Sequence, residues 1–300
     1  MRTARWSSRT DGECTLAHSV QNYGMASPST TSLLTSAFYG YLSPLASDLA
    51  SLRSLDLSAL LTAQSTFLSG AFTLDPSIPL ASPLRPTSGD DYVPSDLAQA
   101  LTTNSIGIDS DGLNKPVLFT TTKDELGTTV GVLTDGPISQ EEYESLISLF
   151  APEEAKEEAI LASKSYRIGK GEDAARETLL KVGTEFSWTC AVRAVADLWR
   201  SRGGQVWVGE FEQGISYASN EVIPFCAGKV CHEDDILVTF GTGRRAAVSV
   251  EVMARWGNFV KNLDPNASGY KKWSTYSGES SIMTLGPKLG GSKVSRTVRL

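Results

Sequence analysis

Histidine and cysteine are scarce in this chain, and their positions are therefore informative about chemistry. His232 stands in a loop-like stretch, Phe225–Asp235 (FCAGKVCHEDD), beside small residues and directly before three consecutive acids. A histidine held on a loop after a strand can serve as a general base. The simpler alternative is a surface imidazole beside its own counter-charges, and these residues alone favour it. The chain has one other histidine and four cysteines, which are His18, Cys14, Cys190, Cys226 and Cys231.

A second group with chemical potential is the acidic pair Asp124-Glu125, which follows an apolar, β-branched run, Lys115–Thr122. A carboxylate at the end of a parallel strand lies where α/β folds place working residues. The alternative is a polar strand end that enters a turn at Gly127. The two candidates together mean more, because an acid followed by a histidine matches the order Ser…Asp/Glu…His of α/β-hydrolases. In that arrangement the acid orients the imidazole.

The elements that must position these residues alternate between helix and strand. Ser139 and Glu142 form a capping box at a helix start, and Gly203-Gly204 ends a long helical pattern. Strands separated by long helices favour an α/β layered fold, and we find neither a repeat nor a dividing linker. The predicted helices are 48–55, 56–67, 95–101, one starting at Ser139, one starting at Pro152, 172–202 and 248–263; the predicted strands are 115–122, 205–211 and 282–285.

Composition narrows the class of protein further. Hydrophobic residues make up 41% of the 300 residues and charged residues 20%, as in ordinary globular proteins. The sequence contains no apolar run of 18 residues, so we expect no membrane span. The net charge of −7 without a basic stripe argues against a nucleic-acid partner. Residues 1–25 contain arginines but no apolar core of a signal peptide, and we expect an irregular N-terminus. The compartment stays open.

Four segments of the chain carry recognisable motifs, which are in order Lys115–Glu125, Gly228–Thr242, Ala254–Asn266 and Trp273–Tyr276. They resemble the type-B carboxylesterase, or cholinesterase-like, family of α/β-hydrolases, in its fungal form. The first is similar to the family's strand followed by N-K-D-E-G, and the second to its C-H-G-x-E motif followed by an apolar stretch that ends F-G. The third is similar to W-x-N-F-A-K-x-G-D-P-N, and the fourth to W-P-x-Y. Order and spacing match as well.

The resemblance implies an α/β-hydrolase fold and hydrolysis of a small-molecule carboxylic ester, with Glu125 as the triad acid and His232 as the triad base. Two departures bear on this. The family's glycine after the acid is Leu126 here, and its glycine after the histidine is Glu233. The family's later glutamate is Asp235. These changes alter the surroundings of the two side chains without removing either.

The nucleophile is not assigned. The family's serine lies in G-E-S-A-G, and the 300 residues contain no G-x-S-x-G and no H-G-G-G-type oxyanion loop. Ser216 and Ser280 stand in partial imitations of the motif, at the wrong places in the family's order. We therefore expect the chain to begin after this serine motif, the nucleophile elbow. Residues 26–300 would then be the C-terminal part of the domain, with a partial α/β-hydrolase sheet. An exposed sheet edge would favour self-association.

Cysteine pairing is the remaining expectation for the site. The four residues between Cys226 and Cys231 allow a local disulfide, which this mostly secreted family makes plausible and which would fix the His232 loop. A zinc site built from these cysteines and one histidine competes with it, but no second Cys/His pair has suitable spacing. We predict neither a metal nor a cofactor. Asn266-Ala-Ser268 is a glycosylation sequon.

Two functions therefore remain. The first is a serine esterase that works through an acyl-enzyme and acts on small-molecule or secondary-metabolite esters. The second is a truncated remnant or a non-catalytic, cholinesterase-like binding module without a nucleophilic serine.

Overall fold

The structure of the protein is a computed structural model that describes residues 25–75, 78, 83–89, 93, 115–151, 154–243, 247–286 and 293–294. Its contacts divide the chain into two compact units, one of Tyr23–Asp109 and one that contains Ser110–Leu300. The sequence shows no linker between them, so this division was not foreseen. The expected helix at 95–101 lies outside the described residues.

The smaller unit consists of helices in its described part. Helix α1 spans Pro28–Leu42, α2 spans Leu49–Arg53 and α3 spans Leu57–Gly70. Sequence analysis predicted α2 and α3 but missed α1, although Ser27 caps it and Pro28 occupies its first turn. Its many serines and threonines hid the pattern. The unit's buried side chains form two small clusters that contain Leu34, Phe67, Ala71, Ile78, Leu42, Ala46 and Ala63.

The larger unit is built on a four-stranded sheet. Strand β1 spans Val117–Thr122, β2 Val206–Phe211, β3 Met283–Leu285 and β4 Lys293–Val294. The strand order is β1-β2-β3-β4, in which the first three strands are parallel and β4 pairs antiparallel to β3. All three predicted strands are confirmed, each one or two residues shorter than expected.

Helices cover both faces of this sheet, as a parallel sheet requires. Val206 and Val208 face helix α8 (Cys190–Ser201), whereas Trp207 and Phe211 face helices α10 (Ile236–Phe240) and α11 (Ala247–Asn262). The alternation follows from the two-residue period of a strand. The α/β prediction is therefore correct for this unit.

Besides the buried side chains on the two faces of the sheet, the larger unit has a cluster of buried side chains among the helices next to the sheet. It joins α4 (Gly127–Leu133), α5 (Gln140–Phe150), α6 (Glu154–Ala162) and α7 (Ala174–Thr184). The predicted capping box at the start of α5 is present, since Ser139 and Glu142 bond each other's main chain. Helix α4 was not predicted, because the turn at Gly127 hid it.

The long predicted helix 172–202 is interrupted in its middle. A π-helical segment, Glu185–Thr189, joins α7 to α8. Such a segment inserts one residue into the helical repeat and rotates the side chains that follow. Between β2 and α10 the chain also forms the short helix α9, Ala218–Glu221. None of the described helices has the length and apolar character that a membrane crossing requires.

Candidate functional site

Glu125 lies at the carboxyl end of β1, where the strand turns into α4. Its side chain is buried, and its Oε1 accepts a hydrogen bond of 2.7 Å from the main-chain N–H of Thr122. The strand thus holds its own terminal carboxylate by a contact three residues back. The second carboxylate oxygen, Oε2, stays available for a partner.

The two residues after Glu125 explain how the chain tolerates its departure from the family motif. The Leu126 side chain is fully buried and lies against Gly183, where an added Cβ would overlap it. Gly127 passes so close to the Sγ of Cys231 that an added Cβ would overlap the sulfur. The glycine that permits close approach is therefore the second residue after the acid.

The loop that carries His232 is anchored to the end of β1. A disulfide joins Cys226 to Cys231, with a Cα–Cα distance of 6.0 Å. Its sulfurs are therefore unavailable as zinc ligands. The main-chain N–H of Asp124 donates to the Val230 carbonyl at 3.0 Å, and the N–H of Val230 donates to the Asp124 carboxylate at 2.9 Å. This bridge sets His232 opposite Glu125.

The structure brings Glu125 and His232 together. The Nδ1 of His232 lies 2.7 Å from the Oε2 of Glu125. The Glu125 side chain is 7% exposed and the His232 side chain 53%. A buried carboxylate on Nδ1 fixes the ring's orientation and leaves Nε2 as the open nitrogen. This arrangement can take a proton from a hydroxyl at Nε2 and stabilise the resulting imidazolium.

The same contact sets the proton affinity of the imidazole. The hydrogen bond to Glu125 raises the pKa of His232, which burial partly opposes, and the charges of Glu125, Glu233 and Asp235 raise it further. For Asp235, burial is the main cause of a raised pKa, and the negative charge of Glu125 raises this pKa further. The histidine is therefore coupled to several carboxylates, of which Glu125 alone hydrogen-bonds its ring.

Trp188 is a neighbour of the histidine that sequence reasoning missed. Its ring centroid lies 5.8 Å from that of His232, with the planes inclined by 51°. Trp188 belongs to the π-helical segment. A regular helix would direct it elsewhere, so no periodicity in the sequence predicted this contact.

The chain matches a known protein family over most of its length. The model of the family described as "Carboxylesterase family" matches residues 24–297. This chain belongs to the carboxylesterase family. It is also similar to carboxylesterase 1C of Rattus norvegicus, with 23% identity over 166 residues, or 52% of this chain. The aligned part is 30% of that relative's own length.

Family membership implies the α/β-hydrolase fold. The parallel strands β1, β2 and β3 with helices on both faces agree with that fold. The resemblance found in the sequence is thereby confirmed at the level of the family.

The two serines in motif-like surroundings take different places in the structure. Ser280 lies in a 3₁₀ turn, Glu279–Ser281, directly before β3. It is therefore at the amino end of the parallel strands, whereas Glu125 is at the carboxyl end. Ser216 follows the carboxyl end of β2 and is exposed. Within the described residues, no hydrogen bond joins either serine to His232.

Two cavities in the described part of the chain lie away from Glu125 and His232. The larger, of about 780 Å³, is a groove between 133–139 and the start of α5. The smaller, of about 310 Å³, lies between α1 and α3. The imidazole of His232 is instead reached from the surface.

Proposed function

We propose that residues 26–300 form the C-terminal part of a serine carboxylesterase domain, in which Glu125 and His232 are the acid and the base of the catalytic triad. The observation that carries this proposal is the 2.7 Å contact between the buried Oε2 of Glu125 and Nδ1 of the half-exposed His232. The family match over 24–297 supports the reaction class.

The proposed reaction is acyl transfer followed by hydrolysis. The Nε2 of His232 takes the proton of a serine hydroxyl while the oxygen attacks the ester carbonyl. The imidazolium, stabilised by Glu125, then gives that proton to the leaving alcohol. In the second half, His232 takes a proton from water while the water oxygen attacks the acyl-enzyme. The imidazolium then returns that proton to the serine oxygen as the carboxylic acid leaves. Small and medium-sized carboxylic esters are the proposed substrate class.

The serine itself would come from a G-x-S-x-G segment outside these 300 residues. No such motif occurs in the chain. The alignment to rat carboxylesterase 1C, which spans 30% of that protein, is in keeping with a partial domain. On its own the 300-residue chain should hydrolyse a p-nitrophenyl ester no faster than background, because removal of the nucleophile costs several orders of magnitude in rate.

The test is a protein extended upstream through the serine elbow. It should hydrolyse p-nitrophenyl esters and react with a fluorophosphonate. His232→Ala should abolish turnover, and Glu125→Gln should lower kcat by on the order of 10³- to 10⁴-fold. His18→Ala, at the chain's other histidine, is the matched control and should leave the rate unchanged. Full activity in the His232→Ala protein would reject the triad assignment.

The second candidate is a binding module of the same family that performs no catalysis. The observation that favours it is the exposed Ser216, which lies at the carboxyl end of the parallel strands, as Glu125 does, but makes no hydrogen bond to His232. If the extended protein binds esters but neither hydrolyses them nor reacts with the fluorophosphonate, this second function replaces the first.

A further inference from the structure

A buried amide lies directly beneath the histidine loop. The Asn220 side chain belongs to helix α9 and is 2% exposed as a residue. Its Nδ2 donates to the main-chain carbonyl of His232 at 2.6 Å and to Oδ1 of Asp234 at 2.8 Å. Its Oδ1 accepts a hydrogen bond of 2.7 Å from the hydroxyl of Thr128. The amide therefore uses both of its ends.

Those partners come from two separate segments of the chain. Thr128 lies in the first turn of α4, three residues after Glu125, whereas His232 and Asp234 lie in the histidine loop. Asn220 stands between the two segments. It ties the helix that follows the acid to the main chain of the base.

Asp234 extends the same connection through the loop. It is 1% exposed, and its Oδ2 accepts from the N–H of Cys231 at 2.8 Å. Its Oδ1 accepts from the N–H of Tyr217 at 2.8 Å as well as from Asn220. Both carboxylate oxygens of Asp234 thus accept from main-chain N–H groups, one of them also from Asn220, and neither hydrogen-bonds the imidazole.

The donor pattern also fixes which way the Asn220 amide points. Turned by 180°, its carbonyl oxygen would face the His232 carbonyl and the Asp234 carboxylate, both of which are acceptors. A buried acceptor without a donor costs about 1–3 kcal/mol, so the orientation is well determined. Aspartate at this position would place two carboxylates side by side.

We propose that Asn220 is a positioning residue that couples helix α4 to the histidine loop and so holds His232 against Glu125. It touches neither the reacting atoms nor the imidazole. Its effect passes through the main chain of residue 232, whose displacement would lengthen the contact between Nδ1 and Oε2. The catalytic role of Asn220 rests on the proposed function, but its effect on the position of His232 can be tested without an activity assay.

The test is an NMR titration of the imidazole in the 300-residue chain. Only two histidines contribute signals, and His18→Ala identifies that of His232. In Asn220→Ala the titration midpoint of His232 should shift downward, because a looser contact with Glu125 stabilises the imidazolium less. Glu125, Glu233 and Asp235, the charged groups that act on the ring, are all retained in this variant.

A matched control separates positioning from general loss of stability. Asn258 in α11 also donates from its Nδ2 to two main-chain carbonyls, those of Asp264 at 2.7 Å and Asn266 at 3.2 Å. Asn258→Ala removes comparable hydrogen bonds far along the chain from the histidine loop. It should lower the unfolding free energy without moving the His232 midpoint.

If Asn220→Ala does not fold, Thr128→Val decides the matter, because valine replaces threonine in shape while removing only the hydroxyl donor. A downward shift smaller than that of Glu125→Gln supports the proposal. A His232 midpoint that stays at the wild-type value in whichever of the two variants folds overturns it.

Activity gives a separate readout. In the extended esterase, Asn220→Ala should lower kcat by on the order of 10²-fold with little change in KM, as expected for a misplaced catalytic group. If the His232 midpoint shifts while the His232→Ala enzyme remains fully active, the positioning role stands and the proposed function fails. If the midpoint does not shift, the positioning role fails whatever the activity.

Discussion

The imidazole of His232 has its two nitrogens in different surroundings, and this difference defines what the residue can do. Nδ1 contacts a buried carboxylate, whereas half of the side chain is open. A ring held in this way has one nitrogen committed to orientation and one free for proton transfer. The chemistry of the site is therefore determined by one hydrogen bond and by the burial of its acceptor.

The first prediction concerns the titration of this ring. Glu125→Gln retains an acceptor for the Thr122 N–H but removes the charge. Because the hydrogen bond to Glu125 is the main cause of the raised pKa of His232, the substitution should lower that pKa, as an NMR titration can measure. An unchanged midpoint would show that Glu125 does not determine the raised pKa of His232.

The same shift makes the stability of the protein depend on pH. The pKa of His232 is higher in the folded than in the unfolded state, so the protonated ring stabilises the fold. This contribution is fully present below the unfolded value of about 6.5 and is lost as the pH rises through the folded value. Urea unfolding should therefore show wild type losing its advantage over Glu125→Gln as the pH rises across that interval.

Glu233 supplies a prediction about backbone strain. Its φ is 73°, in the left-handed region that favours glycine, and glycine is the residue of the family motif at this position. Glu233→Gly should be more stable than Glu233→Ala by about 1 kcal/mol, since both lose the carboxylate and only alanine keeps the strained backbone. Chemical denaturation of the pair measures the difference. Equal stabilities would mean that the backbone at this position relaxes without cost.

At the scale of elements, the site depends on close packing where α4, α7 and the histidine loop meet. Leu126, the residue after the acid, fits only because Gly183 of α7 has no side chain. Its main-chain N–H also donates to the hydroxyl of Thr184 at 3.1 Å. Helix α7 therefore supports the position of Glu125 from behind.

Gly183→Ala tests this support. The added methyl group would overlap Leu126, so unfolding free energy should fall by about 1–3 kcal/mol. Gly257→Ala, in helix α11 with no atom near the added methyl, is the control and should gain up to about 1 kcal/mol. Leu126→Ala combined with Gly183→Ala should show a favourable coupling. Additive losses would indicate that the two side chains do not compete for space.

At the scale of the whole molecule, the sheet is the feature that remains open. Within the described residues β1 pairs with β2 alone, and its other edge carries no strand. An unpaired strand edge favours association between chains. The protein extended through the serine elbow should supply strands for that edge if the proposed partial domain is correct.

We therefore expect the 300-residue chain to self-associate with rising concentration in sedimentation experiments, and the extended protein to do so less. Monomeric behaviour of the shorter chain over the whole concentration range would contradict this expectation. Equal association of both proteins would show that the edge of β1 is not responsible.

The sequence by itself determined the elements and residues whose signals are local or belong to a family motif. The strands before Glu125 and before the histidine loop followed from short β-branched runs, and the start of α5 followed from the Ser139 capping box. The pairing of Glu125 with His232 followed from motif order, although the two residues are 107 positions apart. These inferences succeed because a few neighbouring residues, or a shared pattern, carry enough information.

The tertiary structure alone decided which distant groups surround the pair. The π-helical segment turned Trp188 towards His232, and folding brought Asn220 beneath the loop. It also used the amide of Asn266, the sequon residue, in hydrogen bonds to Asp264 and Trp273. Such contacts join residues that are far apart in the chain or depend on a shift in helical register. Local sequence propensity predicts neither the contacts between distant residues nor the shift in helical register, because both depend on how the elements pack against one another.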